Sequence, residues 1–444
     1  MITKLLSIAL ITAMLFSAAS TAQETKELLT AQASDPNKVG WMLGAPPPAD
    51  KVIRFDDGSY LKFPQLRWSF SNWRQLRPTV RISRGTGPIS QLTRIERDDL
   101  DGVTFIPYGG SEEMTWKQSL AANYTDGIVV LHKGAIVYEH YFGALKADSS
   151  HIAFSVSKSF VGVIAASLVS EKSLDPNATV AHYIPELKDS GFADATVAEL
   201  LDMTTNLKFD ETYANPNADI WRFSYAAGVR PSPPSYTGPA SIYDFLKTVK
   251  KDGKHGERFK YRSINTEVLS WIISRVTGQG IEQLLSDRIW KPIGMQSDGY
   301  IGVDSIGTAW PSGGVNLQLR DLARFGEMMR MQGRFNDRQI LPESVVADIQ
   351  QCIKLKSCPK AESSHSGNRH YHKQWWLMGN EHGAFAARGV YGQTVYIDPT
   401  AKMVIARFAS NPMASNDNND AISLPAYQAL AEYLISVDTA STLD

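Results

Sequence analysis

The sequence predicts a mixed α/β (α+β) fold in which an antiparallel sheet, flanked by helices, is built from both chain ends. Segments rich in β-branched residues that can pair as hairpins lie near both ends, at residues 127–141 and 394–408. Between them, residues 170–300 are mainly helical and rich in loops. Strands at both ends with helices between them predict one shared sheet, with an α-rich lobe inserted in the middle of the chain.

Residues 1–22 have the pattern of a secretory signal peptide. Lys4 provides the initial positive charge, residues 5–16 are apolar, and small residues at 20–22 precede a cleavage site at Gln23. The apolar run is too short for a comfortable transmembrane helix, and no other stretch has the composition of one. The sequence therefore predicts an exported protein, periplasmic in a Gram-negative host or secreted, without stable membrane insertion.

Residues 23–110 are interpreted as an N-terminal arm that packs on a main domain spanning residues 111–444. Residues 23–40 are polar, and three prolines at 46–48 make a stiff, extended stretch. From residue 53 to residue 82 aromatic residues and prolines alternate without a clear period. The lack of a helical or strand period predicts irregular structure there.

Composition narrows the classes of partner. The chain has 444 residues, of which 43% are hydrophobic, and its net charge is −1. This length is enough for a large core. A balanced charge gives no electrostatic reason to expect nucleic acid as a partner, so a small-molecule substrate is expected. Nothing in the sequence indicates an oligomeric state.

The two cysteines, Cys352 and Cys358, leave two alternatives open. Five residues separate them, which allows a small surface disulfide in an oxidising compartment, and two free thiols are the other alternative. His365, His370 and His372 lie nearby, but no carboxylate stands at ligand spacing. A polar loop is therefore favoured over a metal site, and no metal is expected.

The individual elements follow from local patterns. The hairpins pair residues 127–132 with 135–141 across a Lys-Gly turn and residues 394–398 with 403–408 across a four-residue loop. Residues 196–203 predict a helix that begins with a capping box of Thr196 and Glu199. Further helices are predicted at residues 265–276, 319–331 and 421–437. Residues 208–239 are interpreted as a long loop of the kind that often builds binding sites.

Ser155 and Lys158 stand three residues apart, immediately before an apolar helical run. Three residues is nearly one helical turn, so the two side chains share a face. A lysine whose pKa is lowered by burial can remove the proton of a serine hydroxyl and make it a nucleophile. The alternative is a helix cap at Ser155 or Ser157 with a solvated lysine. The apolar run argues against it, because Lys158 would lie at the start of a buried helix.

A second motif, Tyr261-Arg-Ser263, follows about a hundred residues later. With the Ser-x-x-Lys motif and a Gly-rich stretch before the last hairpin, it resembles the serine β-lactamase and penicillin-binding-protein superfamily. Within that superfamily the chain is most similar to class C-like serine hydrolases, and closest to the 6-aminohexanoate-dimer (nylon-oligomer) hydrolases. The closer resemblance rests on the segments at residues 155–159, 209–213, 261–266, 313–315, 320–324, 374–376, 379–381 and 389–393.

The resemblance implies catalytic roles for three side chains. Ser155 would attack an acyl carbonyl carbon and form an acyl-enzyme. Lys158 and Tyr261 would share proton transfer, and either of them qualifies as the base. Ser263 would hydrogen-bond Lys158, with a helix cap as the alternative. No cofactor is implied.

The resemblance also implies an oxyanion hole and substrate contacts. The backbone N–H groups of Ser155 and Val390 would bind the oxyanion, and neighbouring glycines would let that strand approach closely. Tyr213 and Trp376 match positions that close over the substrate, with core packing as the alternative for Trp376. These residues complete the candidate site.

Two departures from the family patterns narrow the range of substrates that we expect. The Lys-Thr-Gly motif that holds the carboxylate in lactamases is absent, and residues 386–389 read Ala-Ala-Arg-Gly instead. Efficient penicillin hydrolysis is therefore not expected, although Arg388 is a candidate ligand for a substrate carboxylate. The nylon-oligomer hydrolases have a histidine after the last strand, and residues 411–420 here contain none.

The expected function is an exported serine hydrolase that cleaves carboxylic esters or small amides through an acyl-serine intermediate. A 6-aminohexanoate-type linear amide hydrolase is one alternative. A cell-wall D-Ala peptidase or peptidoglycan-peptide binder is another, suggested by export and by the resemblance to penicillin-binding proteins. A non-catalytic member that only binds ligands is the third.

Overall fold

The computed structural model describes residues 28–361 and 368–440. The predicted signal peptide and His365 lie outside these ranges. The described residues form seventeen β-strands, which in chain order are β1 (Thr79–Ile82), β2 (Thr104–Phe105), β3 (Met114–Thr115), β4 (Thr125–His132), β5 (Ala135–Tyr141), β6 (Ser150–Ile152), β7 (Leu207–Lys208), β8 (Lys250–Lys251), β9 (Gly299–Gly302), β10 (Val315–Gln318), β11 (Arg334–Phe335), β12 (Arg338–Gln339), β13 (His370–His372), β14 (Trp375–Leu377), β15 (Phe385–Gly389), β16 (Gln393–Asp398) and β17 (Met403–Ala409).

The same residues form fifteen α-helices, several of them a single turn long. In chain order they are α1 (Pro36–Val39), α2 (Leu66–Ser69), α3 (Trp73–Leu76), α4 (Trp116–Ala122), α5 (Val156–Ser170), α6 (Val180–Tyr183), α7 (Val197–Leu201), α8 (Asp219–Ala226), α9 (Ile242–Thr248), α10 (Ile264–Thr277), α11 (Ile281–Leu285), α12 (Lys291–Ile293), α13 (Leu319–Arg330), α14 (Glu343–Gln351) and α15 (Asp417–Ala440). A π-helical turn at Ser286–Trp290 joins α11 to α12.

The main sheet has seven strands in the order β13-β14-β15-β16-β17-β4-β5, and every neighbouring pair is antiparallel. Strands β4 and β5 come from the first predicted hairpin, whereas β16 and β17 come from the second. The hydrogen bonds between β17 and β4 join these distant segments. The prediction of one antiparallel sheet built from both ends of the chain is therefore confirmed.

Alternating side chains cover the two faces of this sheet, as a strand requires. On β4, Ile128 and Val130 belong to the core beneath α4 and α15, whereas Val129 and Leu131 belong to the larger core that includes α5 and α13. The result is a three-layer arrangement with helices on both faces. The larger core continues into the predicted α-rich lobe, which contains α5 to α12.

A second, four-stranded sheet was not predicted. Its order is β1-β9-β10-β6, again with antiparallel pairs. Strand β1 lies in the segment interpreted as irregular, and no strand of this sheet exceeds four residues. Such short strands show too few alternations for the period to be recognised. The sheet matters for the site because β6 leads directly to Ser155.

The helices predicted at residues 196–203, 265–276, 319–331 and 421–437 are present as α7, α10, α13 and α15, whereas others, such as α4 and α14, were not predicted. The capping box of α7 is present, since Thr196 Oγ1 accepts from the Glu199 N–H and Glu199 Oε2 accepts from the Thr196 N–H. The predicted long loop at 208–239 contains α8, which the sequence analysis missed. Helix α8 buries Ile220, Phe223 and Ala226 at three-residue spacing.

Cys352 and Cys358 form a disulfide bond, so of the two alternatives the structure has the disulfide. Within residues 28–361 and 368–440, no helix combines the length and apolar composition needed to cross a membrane.

Candidate active site

The backbone turn that carries Ser155 is strained. Phe154, which links β6 to the start of α5, has φ = 44°, in the left-handed region that a bulky residue rarely adopts. Its ring packs against Phe70 and Tyr391, with centroids 4.9 Å and 5.4 Å apart. Such a conformation costs about 1–3 kcal/mol and persists only where packing holds it. These contacts hold Ser155 at the N-terminus of α5.

Lys158 lies one helical turn further along α5, and only 1% of its surface is exposed. Its Nζ donates to Ser155 Oγ at 2.8 Å and to the Ser312 carbonyl oxygen at 2.7 Å. Burial lowers the pKa of Lys158 to about 8, although the negative charges of Glu211 and Glu267 act in the opposite direction. The alternative of a solvated lysine beside a capping serine is excluded, because Lys158 is buried and Ser155 caps nothing.

Tyr261 completes the group around the Ser155 hydroxyl. Its ring centroid lies 5.1 Å from Lys158 Nζ, and it precedes the N-terminus of α10 by three residues. Burial and then the charge of Glu211 raise the pKa of Tyr261, and a hydrogen bond with Ser155 only partly opposes this. Tyr261 is therefore a neutral phenol near pH 7. Of the two candidate bases, only Lys158 has a pKa moved towards neutrality.

Glu211 connects two of the predicted residues and was missed by the sequence analysis. It accepts hydrogen bonds from the Tyr213 hydroxyl at 2.8 Å, from Ser263 Oγ at 2.6 Å and from the Ser263 N–H at 2.5 Å. The Ser263 hydroxyl therefore donates to Glu211, and neither the hydrogen bond with Lys158 nor the helix cap considered for Ser263 is present. Glu211 belongs to the segment 209–213 already noted for its family resemblance, and this was the one signal available.

Gly389 allows the end of β15 to approach Ser155 closely. A Cβ atom at this position would lie 2.6 Å from the Ala153 carbonyl oxygen and 3.0 Å from the Ser155 nitrogen, so only glycine fits without displacing backbone. The next residue, Val390, lines the same cleft as Ser155. The two backbone segments predicted to form an oxyanion hole are thus brought together.

The cleft beside Ser155 encloses about 620 Å³, counting the space open to solvent. Ser155, Tyr213, Ser263 and Val390 all line it. Most of the other side chains on its wall are apolar, among them Leu61, Ile220, Phe223, Val229 and Trp310.

For Trp376 the structure has the packing alternative, and Arg388, the candidate carboxylate ligand, is paired with another residue. Trp376 is not among the residues that line the cleft but stacks on Tyr261, with ring centroids 5.6 Å apart, because its register opposite Ala386 directs the ring there. Arg388 does not reach into the cleft as a carboxylate ligand, because it forms a salt bridge with Asp420 of α15. Both side chains instead support the structure behind Tyr261.

No metal site is apparent in the part of the chain that the structure describes, where no group of three potential ligands is suitably arranged. His370 Nδ1 lies 3.2 Å from the Asn368 carbonyl oxygen. His372 lies between two carboxylates. Its Nδ1 is 2.9 Å from Asp202 Oδ1, and its Nε2 is 3.3 Å from Asp348 Oδ2. Burial lowers the pKa of His372, but hydrogen bonds to the two carboxylates outweigh it and raise the pKa to about 9.

The comparison with known proteins agrees with this geometry. Residues 118–426 match the family model described as Beta-lactamase. The chain belongs to the β-lactamase family. It is 32% identical over 356 residues to the 6-aminohexanoate-dimer hydrolase of Paenarthrobacter ureafaciens, a match that covers 80% of this chain and 88% of that protein.

Solved structures give the same result. A Bacillus anthracis chain that bears the name 6-aminohexanoate-dimer hydrolase superposes with a TM-score of 0.78 at 33% identity, covering 87% of this chain and 99% of that one. A family VIII carboxylesterase, at 17% identity, has a TM-score of 0.53 over 71% of this chain and 96% of its own, which supports the fold alone. The fold is β-lactamase-like, and the chain is a serine hydrolase.

Proposed function

We propose that this chain hydrolyses short linear amides and carboxylic esters through an acyl intermediate on Ser155. The observation that carries this proposal is the buried lysine beside the serine, with Lys158 Nζ 2.8 Å from Ser155 Oγ. A pKa of about 8 leaves about one lysine in ten as the free amine at pH 7, so a base is available where it is needed.

In the acylation step, the neutral amine of Lys158 removes the proton from Ser155 while Oγ attacks the carbonyl carbon of the substrate. The backbone N–H groups of Ser155 and Val390 donate to the oxyanion that develops on the carbonyl oxygen. The bond to the leaving nitrogen or oxygen then breaks, and the Tyr261 hydroxyl donates a proton to that atom. Lys158 returns the proton it took to Tyr261, so both groups recover their starting charge.

In the deacylation step, a water molecule takes the place of the leaving group. Lys158 removes a proton from this water as its oxygen attacks the acyl carbon. The bond to Ser155 Oγ breaks, Oγ recovers a proton from Lys158, and a carboxylic acid leaves. Both steps use only the side chains and backbone N–H groups named here.

Linear amides enter the proposal through the relatives. The Paenarthrobacter ureafaciens protein is named for an aminohexanoate dimer, in which two aliphatic units are joined by an amide. The apolar wall of the cleft fits such a chain. Carboxylic esters are included because their leaving alcohols need less protonation than amines do, so the same residues cleave them more readily.

Export is part of the same proposal. The charge, the apolar run and the small residues of 1–22 support a signal peptide. The disulfide between Cys352 and Cys358 also supports an oxidising compartment such as the periplasm. Expression of the full chain in a Gram-negative host, followed by fractionation and N-terminal sequencing, tests this. A mature N-terminus at Gln23 in the periplasmic fraction is expected, and an unprocessed cytoplasmic chain contradicts export.

The catalytic proposal is tested by intact-mass labelling with a fluorophosphonate. Wild type should gain one label, Ser155→Ala none, and Ser170→Ala, at the exposed far end of the same helix, as much as wild type. Hydrolysis of p-nitrophenyl butyrate and of the aminohexanoate dimer should depend on Ser155 in the same way. A folded wild type that takes no label and cleaves neither compound contradicts the proposal. Labelling by a fluorescent penicillin would favour the cell-wall alternative.

A further inference from the structure

The wall of the cleft carries one arginine, Arg230, whose side chain is held in a defined position. Its guanidinium carbon lies 3.6 Å from the ring centroid of Trp221, so the two planes can stack. The indole Nε1 of Trp221 donates to the Asn215 carbonyl oxygen at 2.8 Å. The N–H of Arg230 donates to the Ser224 carbonyl oxygen at 3.0 Å. Both members of the stack are therefore anchored before any ligand binds.

The guanidinium of Arg230 has no hydrogen-bond or ion-pair partner among residues 28–361 and 368–440. Two buried arginines near the site, by contrast, do have partners. Arg262 donates to three backbone carbonyl oxygens, and Arg388 pairs with Asp420. A guanidinium presents five N–H donors, and those of Arg230 remain available to a molecule in the cleft.

The surroundings of Arg230 favour a negatively charged ligand. The cleft wall beside it is mostly apolar, which strengthens an ion pair compared with one in water. The charge of Arg230 also acts near the catalytic residues. Arg230 lines the same cleft as Ser155 and as Tyr391, the residue that follows Val390.

We propose that Arg230 binds a carboxylate of the substrate. The cleft would then select substrates in which an apolar chain separates the scissile carbonyl group from a terminal carboxylate. A planar carboxylate can accept two parallel hydrogen bonds from the edge of the guanidinium while Trp221 covers its face. This inference rests on the proposed function, because it concerns the substrate of the same cleft.

The test compares substrates matched in length that differ in the terminal carboxylate. The ester pair is the mono-p-nitrophenyl ester of adipic acid and p-nitrophenyl hexanoate. The amide pair is N-hexanoyl-6-aminohexanoate and N-hexanoyl-pentylamine. We expect kcat/KM of wild type to be at least about tenfold higher for the charged member of one pair or both. Arg230→Gln should bring this ratio close to one, mainly through KM, because the ion pair is present before and during the reaction.

Two further variants make the test specific. Arg230→Lys keeps the charge but loses the planar fork, so it should retain part of the preference. Arg222→Gln removes an exposed arginine of α8 that pairs with Asp219, and it should keep the full wild-type ratio. Melting temperatures close to that of wild type identify folded variants.

The proposal is overturned if wild type cleaves charged and neutral members of both pairs equally well. It is also overturned if folded Arg230→Gln keeps the wild-type ratio. Both results differ from a failure of the proposed function, in which wild type takes no fluorophosphonate label and cleaves neither p-nitrophenyl ester. Turnover of p-nitrophenyl hexanoate without a carboxylate preference would therefore contradict the role of Arg230 alone.

Discussion

Two buried cations each contact one ring of a stacked aromatic pair. Lys158 Nζ lies 5.1 Å from the ring centroid of Tyr261. The guanidinium of Arg388 lies 5.9 Å from the ring centroid of Trp376. The ring centroids of Tyr261 and Trp376 are 5.6 Å apart. The surroundings of Lys158 and of Arg388 are therefore both buried and adjoin the same ring pair, yet the two cations serve different purposes.

The difference lies in the partners of the two cations. Lys158 contacts a hydroxyl and a carbonyl oxygen, and no carboxylate of residues 28–361 and 368–440 is hydrogen-bonded to it, so burial lowers its pKa to about 8. Arg388 is paired with Asp420, which also pairs with Arg369 at 3.2 Å. Lys158, buried without a direct counter-ion, can therefore act as a proton acceptor. Arg388, buried with a counter-ion, instead forms a structural salt bridge between β15 and α15.

The largest effect is expected from removing the reactive cation. Lys158→Met should lower kcat/KM for p-nitrophenyl butyrate by about 10³-fold or more, since no base remains beside Ser155. Lys158→Arg should be similarly inactive, because a guanidinium does not release its proton near neutral pH. Lys188→Met, at an exposed position, serves as the control. Activity of Lys158→Arg within tenfold of wild type would show that charge alone suffices.

A second large effect is expected where β15 meets Ser155. In Gly389→Ala the added Cβ would lie 2.6 Å from the Ala153 carbonyl oxygen, so the strand must move away. A displacement of this kind should lower kcat by about 10²-fold, with a smaller effect on KM. The exposed Gly87→Ala, which meets no atom within 4 Å, is the matched control. Normal kcat in folded Gly389→Ala would contradict the proposed oxyanion hole.

Removing the counter-ion of Arg388 should lower the stability of the protein more than its catalytic rate. Asp420→Asn leaves Arg388 and Arg369 without a buried counter-charge, and the free energy of unfolding should fall by about 3–5 kcal/mol. Asp438→Asn on the same helix removes partly exposed contacts with Lys133 and His132 and should cost less, about 1 kcal/mol. Urea denaturation measures both changes. An equal decrease in the free energy of unfolding in the two variants would mean that the salt bridge of Arg388 does not stabilise the fold.

A smaller effect is expected from Glu211, whose negative charge raises the pKa of Lys158. In Glu211→Gln the lysine should release its proton at a lower pH. The ratio of kcat/KM at pH 6.5 to that at pH 9 should therefore increase about two- to fivefold. Altered packing of Tyr213 and Ser263 would lower the rate at both pH values, so the ratio isolates the charge. Glu257→Gln, exposed and four residues before Tyr261, should leave the ratio unchanged.

The parts of the molecule that depend on local pattern were predictable. The hairpins at 127–141 and 394–408 followed from β-branched segments around short turns, and both are present. The contact between Ser155 and Lys158 followed from a spacing of three residues and an apolar flank, and it is also present. In each case the interacting residues lie close together in the chain, so their geometry follows from a single element.

The partners that were missed come from distant elements. Glu211 lies 52 residues before Ser263, and Asp420 lies 32 residues after Arg388. A spacing of this size carries no information about which helix or loop packs beside a side chain. Trp376 is a similar case, since its position depends on the register of β14 against β15. The contacts of these residues therefore could not be predicted from the sequence.

The pH dependence of Ser155 labelling tests the central claim most directly, namely that Lys158 is a buried base with a lowered pKa. The second-order rate of fluorophosphonate labelling should be measured from pH 5 to pH 10. The base must be neutral to act, so the rate should rise with pH and level off above an apparent pKa of about 8. A rate that is constant over this range, or that still rises without levelling at pH 10, would contradict the claim.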